Sequence, residues 1–404
     1  MKNIIDERII KELVKKYQKD IINFALNIIR TQSFSTKEGK LVELIKKEMI
    51  KCKFDRIKID AMGNILGFIG NGKTKIMIDA HIDTVGIGDI KEWRIDPFKG
   101  IIKNNKILGR GATDQKLSMA AMVYAGKIIK ELGLGKDYTF IAVGSVQEED
   151  CDGLCLMHII TKEKIKPDYV VLTEPTNLSV YRGHRGRMEI KVSVKGKSCH
   201  ASAPERGDNA VVKMSSIVQE ITELNNNLKN DDFLGKGTVA VTYIESKTPS
   251  LNAVPDEATV YLDRRLTNGE DKKLAVSQIK NLPSVKKYNA KVEILNYEAT
   301  SWTGLDVAQE KYFPTWVLPE EHKLVQSGIK AAEIALGKKP VVDKWVFSTN
   351  GVATAGRLKI PTIGFGPGNE IYAHTVNEQM PIDDLLKATV FYSTVGSFIT
   401  EKGK

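Results

Sequence analysis

Five imidazole or carboxylate side chains stand directly after apolar or glycine-rich runs, where a strand would deliver them to one rim of a sheet. His81 follows the run 75–80, and Asp83 comes two residues later. Residues two apart on an extended chain point the same way, so Asp83 is placed to accept the His81 ring N–H that a metal would leave free. Asp114 closes Gly109-Arg110-Gly111-Ala112-Thr113-Asp114 ahead of a helical stretch. It suits either a helix N-cap or a carboxylate bridging two metals. The mostly apolar run 139–146 stops at Gln147-Glu148-Glu149-Asp150, and 169–173 stops at Glu174. Adjacent carboxylates are costly to bury without a cation. The acids are therefore a solvated loop, or one Glu on a metal beside another acting as general base. His374 lies across a loop from Gly364-Phe365-Gly366-Pro367-Gly368. Together His81, Asp114, Glu149, Glu174 and His374 make a nitrogen-and-oxygen donor set suited to two Zn2+, or to Co2+ or Mn2+.

The elements that must hold these residues follow from hydrophobic periodicity. Residues 5–52 have apolar positions at helical spacing, 117–132 is a helix of small and apolar residues, and 64–69, 75–80, 139–146 and 169–173 are strand-like. Strands that apolar, alternating with helices, predict a largely parallel sheet covered on both faces. Beyond about residue 182 the pattern changes. Strands near 187–194, 238–244, 258–266 and 291–295 and helices at 209–226 and 271–282 give the order β-α-β-β-α-β of a ferredoxin-like unit with a free edge strand. The α/β pattern returns from about 320, with a helix to 336, a strand near 362–365 and a last helix from 383. The expected organisation is a catalytic α/β domain (1–183 and 299–404) interrupted by an α+β domain (184–298).

A length of 404 residues fits two domains. The net charge of +10 is spread as lysines on presumed helix faces, with no run of like charge, so no nucleic-acid partner is expected. Cys52, Cys151, Cys155 and Cys199 are too scattered for a disulfide framework and are expected to be free thiols. The N-terminus has no apolar leader segment and no stretch approaches a bilayer span, which predicts a cytoplasmic protein without membrane contact.

The chain resembles the M20 metallopeptidases and deacylases: succinyl-diaminopimelate desuccinylases, acetylornithine deacetylases, carboxypeptidases and dipeptidases. The motifs that carry the resemblance are Ala80-His81-Ile82-Asp83-Thr84-Val85, Gly109–Lys116, Glu148-Glu149, Thr173-Glu174-Pro175 and Ala373-His374, in family order over nearly the whole chain. Segments 147–154, 181–187 and 198–210 are similar to the branch named for selenium metabolism. The resemblance implies a zinc-peptidase-like catalytic domain with a mixed sheet covered by helices, plus a lid and dimerisation domain that pairs homodimers. It implies that His81, Asp114 and Glu174 hold one Zn2+ and Asp114, Glu149 and His374 the other. Asp83 would orient His81, and Glu148 would be the base. It further implies that His200 reaches the partner's active site to stabilise an oxyanion, and that Asn252 and Arg265 hold a substrate carboxylate. Relatives carry a Gly-Gly-Thr-Ser-Asp-like substrate loop where this chain has Ser348-Thr349-Asn350-Gly351, so Asn350 and Gly351 are the substrate-binding candidates there. The implied reaction is hydrolysis of an N-acyl or N-carbamoyl amino acid, or of a short peptide with a free carboxylate. A dipeptidase or aminopeptidase of the same family is the alternative, and a non-catalytic binding protein a remoter one.

Overall fold

In the computed structural model, which describes residues 6–401, the first helix spans Glu7–Arg30. The opening residues, read above for a leader, lie outside the described range. Asp6 starts that helix by accepting a hydrogen bond from the Arg8 amide, and Ile10, Val14, Ile21, Phe24 and Ile28 make its buried face.

The larger sheet has nine strands among the described residues. At its centre Thr74–His81 lies between Tyr138–Ser145 and Tyr169–Leu172, parallel to both, and Thr362–Gly364 runs parallel to Tyr169–Leu172. Consecutive residues of these strands are buried, as they must be when both faces are covered. The flanks differ: Ile65–Ile69 pairs antiparallel with Tyr138–Ser145, and Val180–His184 pairs antiparallel with Thr362–Gly364. The sheet is therefore mixed, as the family resemblance implies, rather than the largely parallel one that the apolar runs alone suggest. Ile65–Ile69 is buried throughout although antiparallel, so continuous burial does not report strand direction. Helices Ser118–Glu131 and Ile382–Thr400 pack against each other and against the sheet, joining segments far apart in sequence into one core.

Strands Thr238–Lys247, Glu257–Leu266, Gly186–Lys195 and Lys291–Ile294 form, in that spatial order, an antiparallel sheet. Helices Ala210–Asn226 and Lys272–Lys280 contribute Met214, Ile217, Ile221, Ala275 and Ile279 to a core separate from the first. This is the ferredoxin-like arrangement. One residue, Arg185, separates Val180–His184 in the large sheet from Gly186–Lys195 in the small one. On the return path Tyr312–Phe313 pairs with Gly186–Lys195, and Trp316–Val317 re-enters the large sheet beside Val180–His184. Between the two crossings the hairpin Asn296–Thr300/Asp306–Glu310 rests on the larger domain: Trp302 Nε1 donates to Gly63 O at 3.2 Å and Tyr297 Oη accepts from Gln147 Nε2 at 2.9 Å.

Candidate metal centre

The register of the three central strands sets the site. His81 pairs with Ser145 and Asp79 with Leu172, so the segments carrying Glu148, Glu149 and Glu174 leave the sheet at the level of His81. The loop carrying His374 passes the 173–174 backbone so closely that a Cβ on Gly366 would lie 2.1 Å from Glu174 O. Gln147 and His374 both have left-handed backbones (φ 56° and 60°), a conformation costly outside glycine and concentrated at functional sites.

Asp114 sits between the two histidines. Its Oδ1 is 2.9 Å from His81 Nε2 and its Oδ2 is 3.1 Å from His374 Nε2. Glu149 Oε2 lies 2.9 Å from His374 Nε2, and Glu174 Oε1 3.7 Å from His81 Nε2. Glu148 Oε2 lies 4.0 Å from His81 Nε2, and its Oε1 is buried with no hydrogen-bond partner among the described residues. His81 Nδ1 faces the Asp83 main-chain oxygen at 3.2 Å and the Asp83 carboxylate at 3.5 Å. That carboxylate accepts hydrogen bonds from the amides of Glu148 and Glu149 and from Ser35 Oγ, tying the histidine to the acidic loop.

Burial raises the proton affinity of Glu148, Glu149 and Glu174. Burial also pushes Asp114 up, but hydrogen bonds from His374 and His81 outweigh it and hold that carboxyl below the usual range. The contacts of the His374 ring with the Asp114 and Glu149 carboxylates, which accept from it, push His374 up to about 10. Asp114, Glu148 and Glu174 are buried with Glu149 beside them, and four carboxylates against two imidazoles must either take up protons or bury excess negative charge at a cost of several kcal/mol. An unpartnered buried oxygen and converging nitrogen and oxygen donors therefore fit a pair of divalent cations. Asp114 is not a helix cap: the helix begins at Ser118 with Leu117 in the capping position.

A cavity of about 480 Å³ opens on Asp114, Glu148, Glu149, Glu174 and His374, and the smaller domain contributes Arg187 and Arg265 to its wall. Of the expected substrate residues Arg265 lines this cavity, and Asn252, Asn350 and Gly351 do not. Arg265 has its Nε and Nη2 on Asp263, at 2.7 and 3.1 Å. Asn350 is buried away from the cavity, donating to Asp79 and Ser145 and accepting from the Gly153 amide, while Gly351 packs on Trp316. Phe347 and Ser348 line the cavity instead. His200 and Asn252 lie on exposed loops joined by the bridge His200↔Ala253, and neither lines the cavity within one chain.

Sequence reasoning missed Glu378. This buried carboxylate accepts from Arg110 Nη1 (2.8 Å) and from the amides of Gly111, Thr113 and Asp114 (3.0, 2.9 and 2.9 Å). Its position four residues after His374 is the only signal in the sequence. Arg187 and Asp152 were also missed as cavity residues.

A mixed-sheet domain with two histidines sharing a carboxylate, interrupted by a ferredoxin-like domain, defines a two-domain metallohydrolase. The profile of Peptidase family M20/M25/M40 matches residues 77–396. Uncharacterized protein YgeY of Escherichia coli (strain K12) is 51% identical over 388 residues, 96% of each chain. A probable succinyl-diaminopimelate desuccinylase of Staphylococcus epidermidis is 26% identical over 420 residues, 95% of this chain and 99% of that one. The Bacillus subtilis YXEP protein, described as a dinuclear metal binding peptidase of the M20 family, superposes with a TM-score of 0.71 at 13% identity over 95% of this chain and 98% of that one. The chain belongs to Peptidase family M20/M25/M40 and is a metal-dependent hydrolase acting on C–N bonds.

Proposed function

We propose that the protein is a dinuclear-zinc amidohydrolase that cleaves the amide or ureido bond of an N-acyl or N-carbamoyl amino acid, or of a short peptide with a free carboxylate. The observation that carries this reading is Asp114, which offers one oxygen to the neighbourhood of each histidine. His81, Asp114 and Glu174 would hold one cation, and Asp114, Glu149 and His374 the other. Such a pair acidifies a bound water and polarises a carbonyl. Asp83 keeps the His81 ring in place through Nδ1. Glu148, whose Oε2 lies 4.0 Å from His81 Nε2 beside Glu174, takes the proton of the attacking water and returns it to the leaving nitrogen.

The 184–298 segment serves as lid and dimerisation domain. Its edge strand Thr238–Lys247 leaves Tyr243 59% and Ile244 55% exposed, and Leu251, beside Asn252, is fully exposed. Unpaired apolar edges of this kind are normally covered. A homodimer formed along that edge lets His200 of the partner subunit donate to the developing oxyanion. Among the described residues no helix is long and apolar enough to cross a membrane, and a cytoplasmic setting suits a small-molecule substrate.

The test is metal analysis followed by turnover of N-acetyl, N-carbamoyl and free-amine substrates. Two divalent ions per chain and chelator-sensitive release of an amino acid from an N-substituted substrate are expected. Turnover confined to free-amine peptides would shift the assignment to a dipeptidase, and a single ion per chain would end the dinuclear reading.

A further inference from the structure

Gln147 and Asp150 flank Glu148 and Glu149, and one phenol bonds to both flanks. Tyr297 Oη accepts from Gln147 Nε2 at 2.9 Å and donates to Asp150 Oδ2 at 3.1 Å. A phenol has one proton and an ionised carboxylate only accepts, so the two bonds run in one direction and close the turn. Gln147 has a left-handed backbone (φ 56°), which persists only where neighbours fix it. Its main-chain amide is fixed by Glu38 Oε1 at 3.1 Å and its side chain by Tyr297. Gln309 is the direct cross-strand partner of Tyr297 in the hairpin Asn296–Thr300/Asp306–Glu310. Side chains so paired lie together on one face. Gln309 Nε2 takes up the next two residues of the acidic segment, donating to Cys151 Sγ at 3.2 Å and to Asp152 O at 3.1 Å. The root of the hairpin belongs to the smaller domain: the Leu295 amide donates to Glu189 O and the Glu189 amide to Lys311 O, on the strand Gly186–Lys195.

We infer, resting on Glu148 as the general base, that Tyr297 is a positioning residue: with Gln309 beside it, its hydroxyl braces the turn that aims the Glu148 carboxylate, from a hairpin rooted in the smaller domain. Glu148 Oε1 has no hydrogen-bond partner among the described residues and Oε2 lies 4.0 Å from His81 Nε2, so the carboxylate takes its direction from the main chain that carries it. A base must stand within hydrogen-bond reach of the proton it takes, so a tilt of that turn costs rate rather than substrate affinity.

The experiment measures kcat, KM and metal content per chain, with whichever N-acetyl, N-carbamoyl or free-amine substrate is turned over best. It compares wild type, Tyr297→Phe, Gln309→Leu, Thr303→Ala and Glu148→Gln, and each hairpin change combined with Glu148→Gln. Tyr297→Phe is expected to keep its ions and a KM within about twofold of wild type, while kcat falls on the order of 10-fold, the weight of one hydrogen bond. Gln309→Leu is expected to lower kcat in the same way. Thr303→Ala removes a bond of the same hairpin that goes to Ala61 O at 2.7 Å instead of to the acidic turn, and is expected to keep kcat. A role that runs through Glu148 predicts no further fall when Tyr297→Phe is added to Glu148→Gln. Normal kcat in Tyr297→Phe, an equal fall in Thr303→Ala, or the same fall repeated on top of Glu148→Gln would each overturn the inference. Should Tyr297→Phe not fold, Gln309→Leu with and without Glu148→Gln decides by the same outcomes. Wild-type kcat in Glu148→Gln alone would instead overturn the base assignment, a failure visible with Tyr297 untouched.

Discussion

Asp114 and Glu148 lie in one cavity but have separable roles. Asp114→Ala removes the oxygens facing both histidines, and the variant is expected to lose both cations together with activity, measured as metal content per chain. Glu148→Gln is expected to keep both cations and to lose kcat on the order of 10²–10⁴-fold, the usual contribution of an acid–base group. A Glu148 variant with normal kcat would remove the base assignment. His81, Glu149 and Glu174 were legible because each is an abrupt polar stop after residues that pack, and packing alone gives no reason for an acid there. Asn350 was not. A polar loop residue looks the same in sequence whether it faces a cavity or satisfies a buried neighbour, and here Asp79 and Gly153 take its side chain. The Asp263 contact that occupies Arg265 was equally hidden, since spacing does not say which of two nearby groups an arginine chooses.

Strand ends and short loops decide how well the donors are held. Glu378 gathers three main-chain amides and Arg110 into one carboxylate, and so binds the loop of Asp114 to the segment that carries His374. Glu378→Gln places an N–H against donors, and metal affinity, read by chelator competition, is expected to fall 10–100-fold as for other supports of metal ligands. An unchanged affinity with a lowered melting temperature would make Glu378 a stability residue only. At the crossing into the smaller domain His184 is wholly buried against Trp316, its Nδ1 facing Arg185 O at 2.8 Å and its Nε2 accepting from the Thr349 amide. Burial pushes the ring down to about 4. A folded-state value below the unfolded 6.5 means that the unfolded chain binds the proton first. Stability is therefore full above about pH 6.5 and lost as pH falls toward 4, on the order of 2 kcal/mol by pH 5. Denaturant unfolding of wild type and His184→Asn between pH 7.5 and 5 should show the steeper loss in wild type. Parallel slopes would contradict this. The sheet's central strands were readable from their apolar runs, whereas strand direction was not, because burial on both faces erases the difference.

For the molecule as a whole, the division into two cores was visible as a change from continuous to alternating hydrophobicity near residue 182. What that pattern does not reveal is the hairpin Asn296–Thr300/Asp306–Glu310 laid back over the larger domain, whose contacts depend on single residues such as Trp302 and Tyr297. The exposed edge at Tyr243 and Ile244 predicts a dimer in sedimentation, and Ile244→Lys is expected to give monomers with little activity. Mixing inactive His200→Ala and Glu148→Gln proteins should recover part of the activity, because a mixed dimer owns one intact site; no recovery under exchange would place His200 outside the reaction. The donors themselves run from His81 to His374, and Glu378 lies beyond. While the polypeptide is still growing on a ribosome, no early segment holds the full donor set, which is complete only once the segment carrying His374 has been made. A stalled or clipped nascent chain would thus carry no premature hydrolytic activity.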